Sequence, residues 1–166
     1  GSKTKQGLYY DQTYAPVASW DLIRLLLILV AVEGWHTQQI DYVLAFPQAP
    51  MEKEIYMKIH KGFEVTGSNP EDYVLKQNRN MYGQKQAGCV WNKYLENKLI
   101  KEVGFKKSKK HECVFYKNKT IYVLYTDDST LTEPDKNEIR EIIKEIQKAN
   151  LNITKEGSIQ DFLGTN

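Results

Sequence analysis

Residues 121–129 read IYVLYTDDS, an apolar run of strand-forming residues that ends in two adjacent aspartates, Asp127 and Asp128. Such a run belongs inside a sheet, whereas neighbouring carboxylates repel each other and resist burial. Two readings follow. Asp-Asp-Ser is hairpin-turn chemistry, since Asp is common where a strand stops; alternatively the paired charges face a cation. The rest of the chain has to decide between them.

Working outward, CVFYKN (113–118) and TIYVLYT (120–126) are separated by Asn118-Lys119, which predicts a hairpin. Upstream, apolar residues recur through 84–103 at Ala87, Val90, Trp91, Tyr94, Leu95, the stem of Lys98, Leu99 and Ile100, an amphipathic helix closed by Gly104. EIYMKI (54–59) and DYVLKQ (72–77) alternate apolar and polar residues around the turn signal GSNP, a second hairpin. HTQQIDYVLAF (36–46) reads as a strand over about 37–43, ended by Pro47 and Pro50. Residues 19–33 read as a helix with Ser19 at its start, Asp21 in its first turn and Gly34 as its stop. Downstream, Pro134 and Asp135 open a charged helix over 134–149, LNITK is a short strand, and IQDFLGT (159–165) is a last one. Strands and helices interleave and hairpins occur among them, which predicts an α+β fold: an antiparallel sheet with helices packed on one face.

Composition narrows the class. With 41% hydrophobic and 27% charged residues, the 166-residue chain is one soluble domain or part of a larger protein, and a disordered chain is excluded. Two cysteines without a CxxC pattern, Cys89 and Cys113, indicate neither a zinc ribbon nor a disulfide framework, so the thiols are expected to be reduced. The most apolar stretch, LIRLLLILVAV (22–32), is too short to span a bilayer, carries Arg24 and reads as a buried helix. No signal peptide is visible, so the sequons at Asn118 and Asn152 are read as chance, and Gly1-Ser2 reads as a remnant of cloning. A net charge of +2 argues only weakly for a polyanion. Lys101, Lys106, Lys107, Lys109 and Lys110 nevertheless crowd together, as either a solvated surface or a contact for a phosphate backbone.

A second carboxylate sits oddly. Asp41 lies in a strand that otherwise reads as buried, an unfavourable place unless the charge is paired, hydrogen-bonded or metal-bound. If the strand over 37–43 lies beside that over 121–126, Asp41 meets Asp127 and Asp128 at one sheet edge. Such a trio of hard oxygen donors suits Mg²⁺. Two such ions, roughly 3.5–4 Å apart, activate a 3′-hydroxyl and stabilise a leaving pyrophosphate.

Six segments, in order, carry a family resemblance: YYDQTYAPVASWDLIRLLLILVAVEGW, QQIDYVLAF, EIYMKIHKGFE, NMYGQKQAGCVWN, YVLYTDDS and IQDFLG. Over nearly its whole length the chain resembles the reverse transcriptase of copia-type LTR retrotransposons. The resemblance implies a polymerase palm with part of the fingers. Residues 1–36 would be partial fingers with the N-terminal helix, and 37–166 the palm with an inserted fingers segment at about 47–85, one unit of a larger polyprotein ending at the primer-grip region. It implies Asp41, Asp127 and Asp128 as catalytic metal ligands, two Mg²⁺ ions with Mn²⁺ as a substitute, deoxynucleotides, and an RNA or DNA template with its primer. Phe46 would be the steric gate against a ribose 2′-hydroxyl, with Tyr82, Gly83, Lys85, Gln86 and Tyr125 around the nucleotide. Lys155 would be a general acid, Phe162, Leu163 and Gly164 the primer-grip region, and Lys106, Lys107, Lys109 and Lys110 a backbone contact. Each of these also has a plain structural reading, as core, loop or surface.

The family pattern further implies that an upstream finger strand and the downstream thumb, connection and RNase H regions lie outside these residues, with no membrane segment. It places the protein in the cytoplasm within virus-like particles, with its product delivered to the nucleus. Three departures stand out: Thr126 where Val is usual, Gly88 where Pro is usual, and AFPQAP in place of an Asn-Gly turn. A decayed or repurposed retroelement domain, binding nucleic acid or protein, is the alternative. An RRM-type module is disfavoured because no RNP-like aromatic run occurs.

Overall fold

Ser19 starts the first helix as its composition predicts. In the computed structural model, which describes residues 12–59, 62 and 69–155, its side chain accepts the Leu22 N–H at 3.3 Å. Gly34, at φ +66°, closes the helix in the left-handed conformation that only glycine adopts freely. The elements are α1 (Trp20–Glu33), β1 (His36–Tyr42), the single turn α2 (Ala45–Gln48), β2 (Tyr56–Lys58) and β3 (Val74–Lys76). They continue with α3 (Ala87–Lys98), β4 (Lys106–Lys107), β5 (Val114–Lys117), β6 (Thr120–Tyr125), β7 (Asp128–Glu133), α4 (Lys136–Lys148) and β8 (Ile153–Lys155). The strand expected over 159–165 lies outside the described residues.

Six strands form one antiparallel sheet in the order β4-β5-β6-β7-β1-β8, and β2 and β3 pair as a separate hairpin. Two of these strands were not foreseen. Asp-Asp-Ser reads as turn chemistry and no strand is expected after it, yet DSTLTE is β7, a central strand whose Ser129, Leu131, Thr132 and Glu133 are buried. Tertiary pairing on both sides overrides its weak apolar pattern. The lysine-rich 106–107 stretch is β4, at the edge where lysines blunt further pairing. The expected β1–β6 adjacency is corrected: β7 runs between them.

Directly paired residues share a sheet face and successive residues alternate. Register therefore sets Ile40, Tyr42, Tyr122, Leu124, Ser129 and Leu131 on one face, and Gln39, Asp41, Val123, Tyr125, Asp128 and Thr130 on the other. On the first face the hydroxyls of Tyr42 and Tyr122 stand 2.8 Å apart and that of Tyr122 is 2.5 Å from Ser129 Oγ. Helix α3 covers this face through Trp91, edge-on to Tyr42 at 5.0 Å between ring centroids. Helix α4 covers it with Ile139, Ile142, Ile143 and Ile146, a buried stripe at helical spacing. Each of these side chains contributes about 1.5–3 kcal/mol by leaving water.

The expectation that the helices share one face holds for α3 and α4 and is corrected for α1. Ile23 and Leu26 of α1 line a small cavity with Gln39, Val123 and Thr130 of the opposite face. Nor is α1 buried all round: Trp20, Leu25, Ile28 and Val32 are exposed, because a single sheet face covers only one stripe of a helix. Past Lys98 the helix widens into a π turn over Leu99–Val103, which keeps Leu99 and Val103 inward and puts Ile100 at the surface. Lys117 Nζ donates to the Val103 carbonyl at 2.8 Å, satisfying an acceptor that the helix end leaves open.

Candidate active site

The opening aspartates do not share one turn. Tyr125 and Asp128 are register partners, so Thr126 and Asp127 make a two-residue loop between β6 and β7, and Asp128 is the first residue of β7. Positive φ at Thr126 (+60°) alone of the two matches a type II′ hairpin turn. A β-branched residue in that region is strained. The Tyr42 N–H donates to the Asp127 carbonyl at 3.4 Å, tying the loop to β1.

On β1, Asp41 is the register partner of Asp128 on one side and of Thr154 on the other. All three side chains therefore belong to one sheet face. Opposed positions hold their Cβ atoms about 4.5–5.5 Å apart, and the Thr154 hydroxyl donates to Asp41 Oδ2 at 3.4 Å. The carboxylates are half-buried. Carboxylate oxygens are hard donors, the type that divalent cations such as Mg²⁺ prefer. Among the described residues, however, no three His, Cys, Asp or Glu side chains are grouped to hold a metal ion. The expected convergence of Asp41, Asp127 and Asp128 is thus realised as an opposed pair with a neighbour in the adjoining turn, not as a closed set of three ligands.

Phe46 and Tyr82 come to this end of the sheet together. Their ring centroids are 4.4 Å apart at an interplanar angle of 43°. Burial is the main cause that raises the Tyr82 phenol above its ordinary range, and the negative charge of Asp127 and, less strongly, of Asp41 acts the same way, against a hydrogen bond with the Ala45 backbone. Tyr82 therefore feels both carboxylates. It precedes Gly83, whose φ of +84° requires a residue without Cβ strain. Tyr125 is half-buried on the aspartate face and lines the small cavity that also holds Asp128, Ile23 and Leu26.

Other expected residues lie elsewhere. Gln86 is buried, with Oε1 lacking a partner, and lines a small cavity with Met51, Ile55, Asn80 and Val90. Lys85 is exposed in the turn before α3. Lys155 pairs in register with Ile40, so strand alternation sends it to the face opposite Asp41. It lines a cleft with His36, Gln38 and Arg140, and its assignment as a general acid at the aspartates is corrected on that ground. Lys106 and Lys107 sit on the far edge strand, and Lys107 is ion-paired with Glu96 at 2.8 Å, its charge already matched. Lys109 and Lys110 are exposed in the loop after β4. Phe162, Leu163 and Gly164 lie outside the described residues.

Sequence reading missed the residues that brace this end. Gln48 Nε2 donates to the carbonyls of Val43 (2.7 Å) and Asn152 (2.9 Å), while its Oε1 accepts the Asn152 N–H at 2.9 Å. One amide thus fastens the chain leaving β1 to the chain entering β8. Asn80 Nδ2 donates to the carbonyls of Ala49 and Pro50, fixing the segment that carries Tyr82 against the one that carries Phe46. A Gln or Asn in a polar loop carries no signal that its partners lie far away in sequence.

Comparison with known proteins identifies the family. Residues 1–166 match the family described as reverse transcriptase (RNA-dependent DNA polymerase). The retrovirus-related Pol polyprotein from transposon TNT 1-94 of Nicotiana tabacum is 31% identical over 99% of this chain and 12% of its own length. That from transposon RE2 of Arabidopsis thaliana is 34% identical over 81% of the chain and 9% of its length. A truncated transposon Ty1-A Gag-Pol polyprotein of Saccharomyces cerevisiae is 27% identical over 74% of the chain and 10% of its length. The chain thus spans about a tenth of these relatives. No solved structure matches it.

Proposed function

The chain belongs to the reverse transcriptase family, of the copia-type retrotransposon kind, and from that premise we propose that it is the palm, with part of the fingers, of an RNA-directed DNA polymerase. The observation that carries this reading is the Asp41–Asp128 register pair with Asp127 in the adjoining turn. The separate β2–β3 hairpin supports an inserted fingers segment at about 47–85.

In this reading Asp41, Asp127 and Asp128 would hold Mg²⁺ or Mn²⁺, which would supply charge stabilisation for nucleotidyl transfer to a primer 3′-hydroxyl. The chain's own work is positioning. The tight β6–β7 turn presents Asp127, β1 and β7 hold Asp41 and Asp128 level, and Thr154 orients the Asp41 carboxylate. Phe46, whose ring packs against Tyr82, would serve as the rigid gate against the ribose 2′-hydroxyl. The remaining partners are a template with its primer and the rest of the polyprotein, thumb and RNase H included, within cytoplasmic virus-like particles that deliver their product to the nucleus. Among the described residues no helix is long and apolar enough to cross a membrane.

The test is primer extension on poly(rA)/oligo(dT) by the complete polyprotein segment carrying these residues. Asp41→Asn and Asp127→Asn should each lower extension by at least about a hundredfold, the scale of losing one preorganised electrostatic contact. Extension that survives both changes sinks the assignment. A parent that binds primer–template in a metal-independent way without extending it points to the decayed or repurposed domain.

A further inference from the structure

At the His36 end of β1, where β8 no longer pairs with it, lies a cleft of about 430 Å³ lined by α1, β1, α4 and β8. Its charges are of one sign. Lys136 and Arg140 come from the first turns of α4 and Lys155 from the end of β8, the imidazole of His36 adds a hydrogen-bonding group from the start of β1, and no carboxylate occurs among its described lining residues. Among the described residues, Lys136, Arg140 and Lys155 take part in no ion pair. Arg140 spends one contact on Asn137 Oδ1 at 3.2 Å, and the rest of its fork of donors remains for a ligand.

Like charges gather around a concavity at an electrostatic cost, and such a cleft focuses a positive potential that draws in an anion. The volume lies in the range of small-ligand pockets. The same cleft is lined by the half-buried Trp35 and by the apolar Val30, Ile139 and Ile143. Guanidinium and ammonium groups suit a phosphate, and an indole plane next to them suits a planar base. We propose that this cleft is a second nucleotide-binding site, toward the opposite end of β1 from Asp41. Arg140, Lys136 and Lys155 take the phosphate and Trp35 the base of a nucleotide, either free or within a single strand. The register that removes Lys155 from the aspartates is what supplies it here.

Calorimetric titration of the 166-residue chain in EDTA tests this, because the chelator silences any metal-dependent binding at the aspartates. The probes are adenosine 5′-monophosphate, adenosine, inorganic phosphate and a tetradeoxynucleotide. The monophosphate should bind about tenfold or more tightly than adenosine or phosphate alone, and its affinity should fall as salt rises. Lys136 and Arg140 are both exposed, so the Lys136→Gln/Arg140→Gln double variant should keep its melting temperature while losing about tenfold or more in affinity. Trp35→Leu should abolish the advantage of the monophosphate over phosphate. A tetranucleotide that binds more tightly than the monophosphate assigns the cleft to a strand, and equal binding assigns it to the free nucleotide. Absence of binding, or an affinity that the double variant leaves unchanged, overturns the proposal.

Discussion

Thr126 and Phe46 show how single residues at this site trade stability against geometry. Thr126 holds φ +60°, where a β-branched side chain is strained, and it is exposed, so few contacts offset the cost. Thr126→Gly should raise stability by about 1 kcal/mol, the relieved strain less the extra entropy of an unfolded glycine. Chemical denaturation measures it, and a destabilised variant would contradict the strain. Phe46 is half-buried against Tyr82. In the complete polymerase, Phe46→Val should weaken discrimination against ribonucleotides by roughly 1–3 kcal/mol, about tenfold to two-hundredfold. If the ring only packs, the same variant lowers the melting temperature and leaves the dNTP/rNTP ratio of kcat/KM untouched. Asp41 and the Asp127-Asp128 pair were legible because charges in an apolar strand pattern break a physical rule. Gln48 and Thr154 break none, so nothing in the sequence marked them.

Helix α3 illustrates what an element tolerates. Gly88 occupies its first turn, and a Cβ built there meets nothing nearer than the Ala15 Cβ at 3.8 Å, ordinary contact. Gly88→Ala should therefore stabilise the protein by about 0.5–1 kcal/mol, the helix-propensity difference. An unchanged or lowered melting temperature would show that the added methyl displaces a neighbour. The departure from the family's proline thus weakens the helix start without opening the core. Helix boundaries were readable from Ser19, Gly34, Gly104 and Asp135, since caps and stops are local chemistry. Strand β7 was not, because DSTLTE becomes a strand only through partners on both sides.

Over the whole molecule, the buried phenols of Tyr42 and Tyr122 link stability to alkaline pH. Burial is the largest cause that holds both well above the ordinary tyrosine value. In the unfolded chain they ionise near pH 10, so their contribution is complete below about pH 10 and is lost as pH rises above it. Stability measured by denaturant between pH 8 and about 11.5 should fall at the alkaline end, and Tyr122→Phe should make that fall shallower by removing one of the shifted groups. The variant also costs about 1–3 kcal/mol at neutral pH, because the Tyr42 hydroxyl loses its 2.8 Å partner. A fall of unchanged steepness would remove Tyr122 from the linkage. By itself the sequence determined the α+β class and most of its elements and singled out the three aspartates as candidates, because periodicity, caps and misplaced charges are properties of neighbouring residues. Only the tertiary structure decided that β7 separates β6 from β1, that Asp41 faces Asp128 while Lys155 faces away, and that cations from α4 and β8 line one cleft with Trp35. Those facts are set by pairing order and register between distant segments, and a slip of one residue in register would turn every side chain of a strand to the other face.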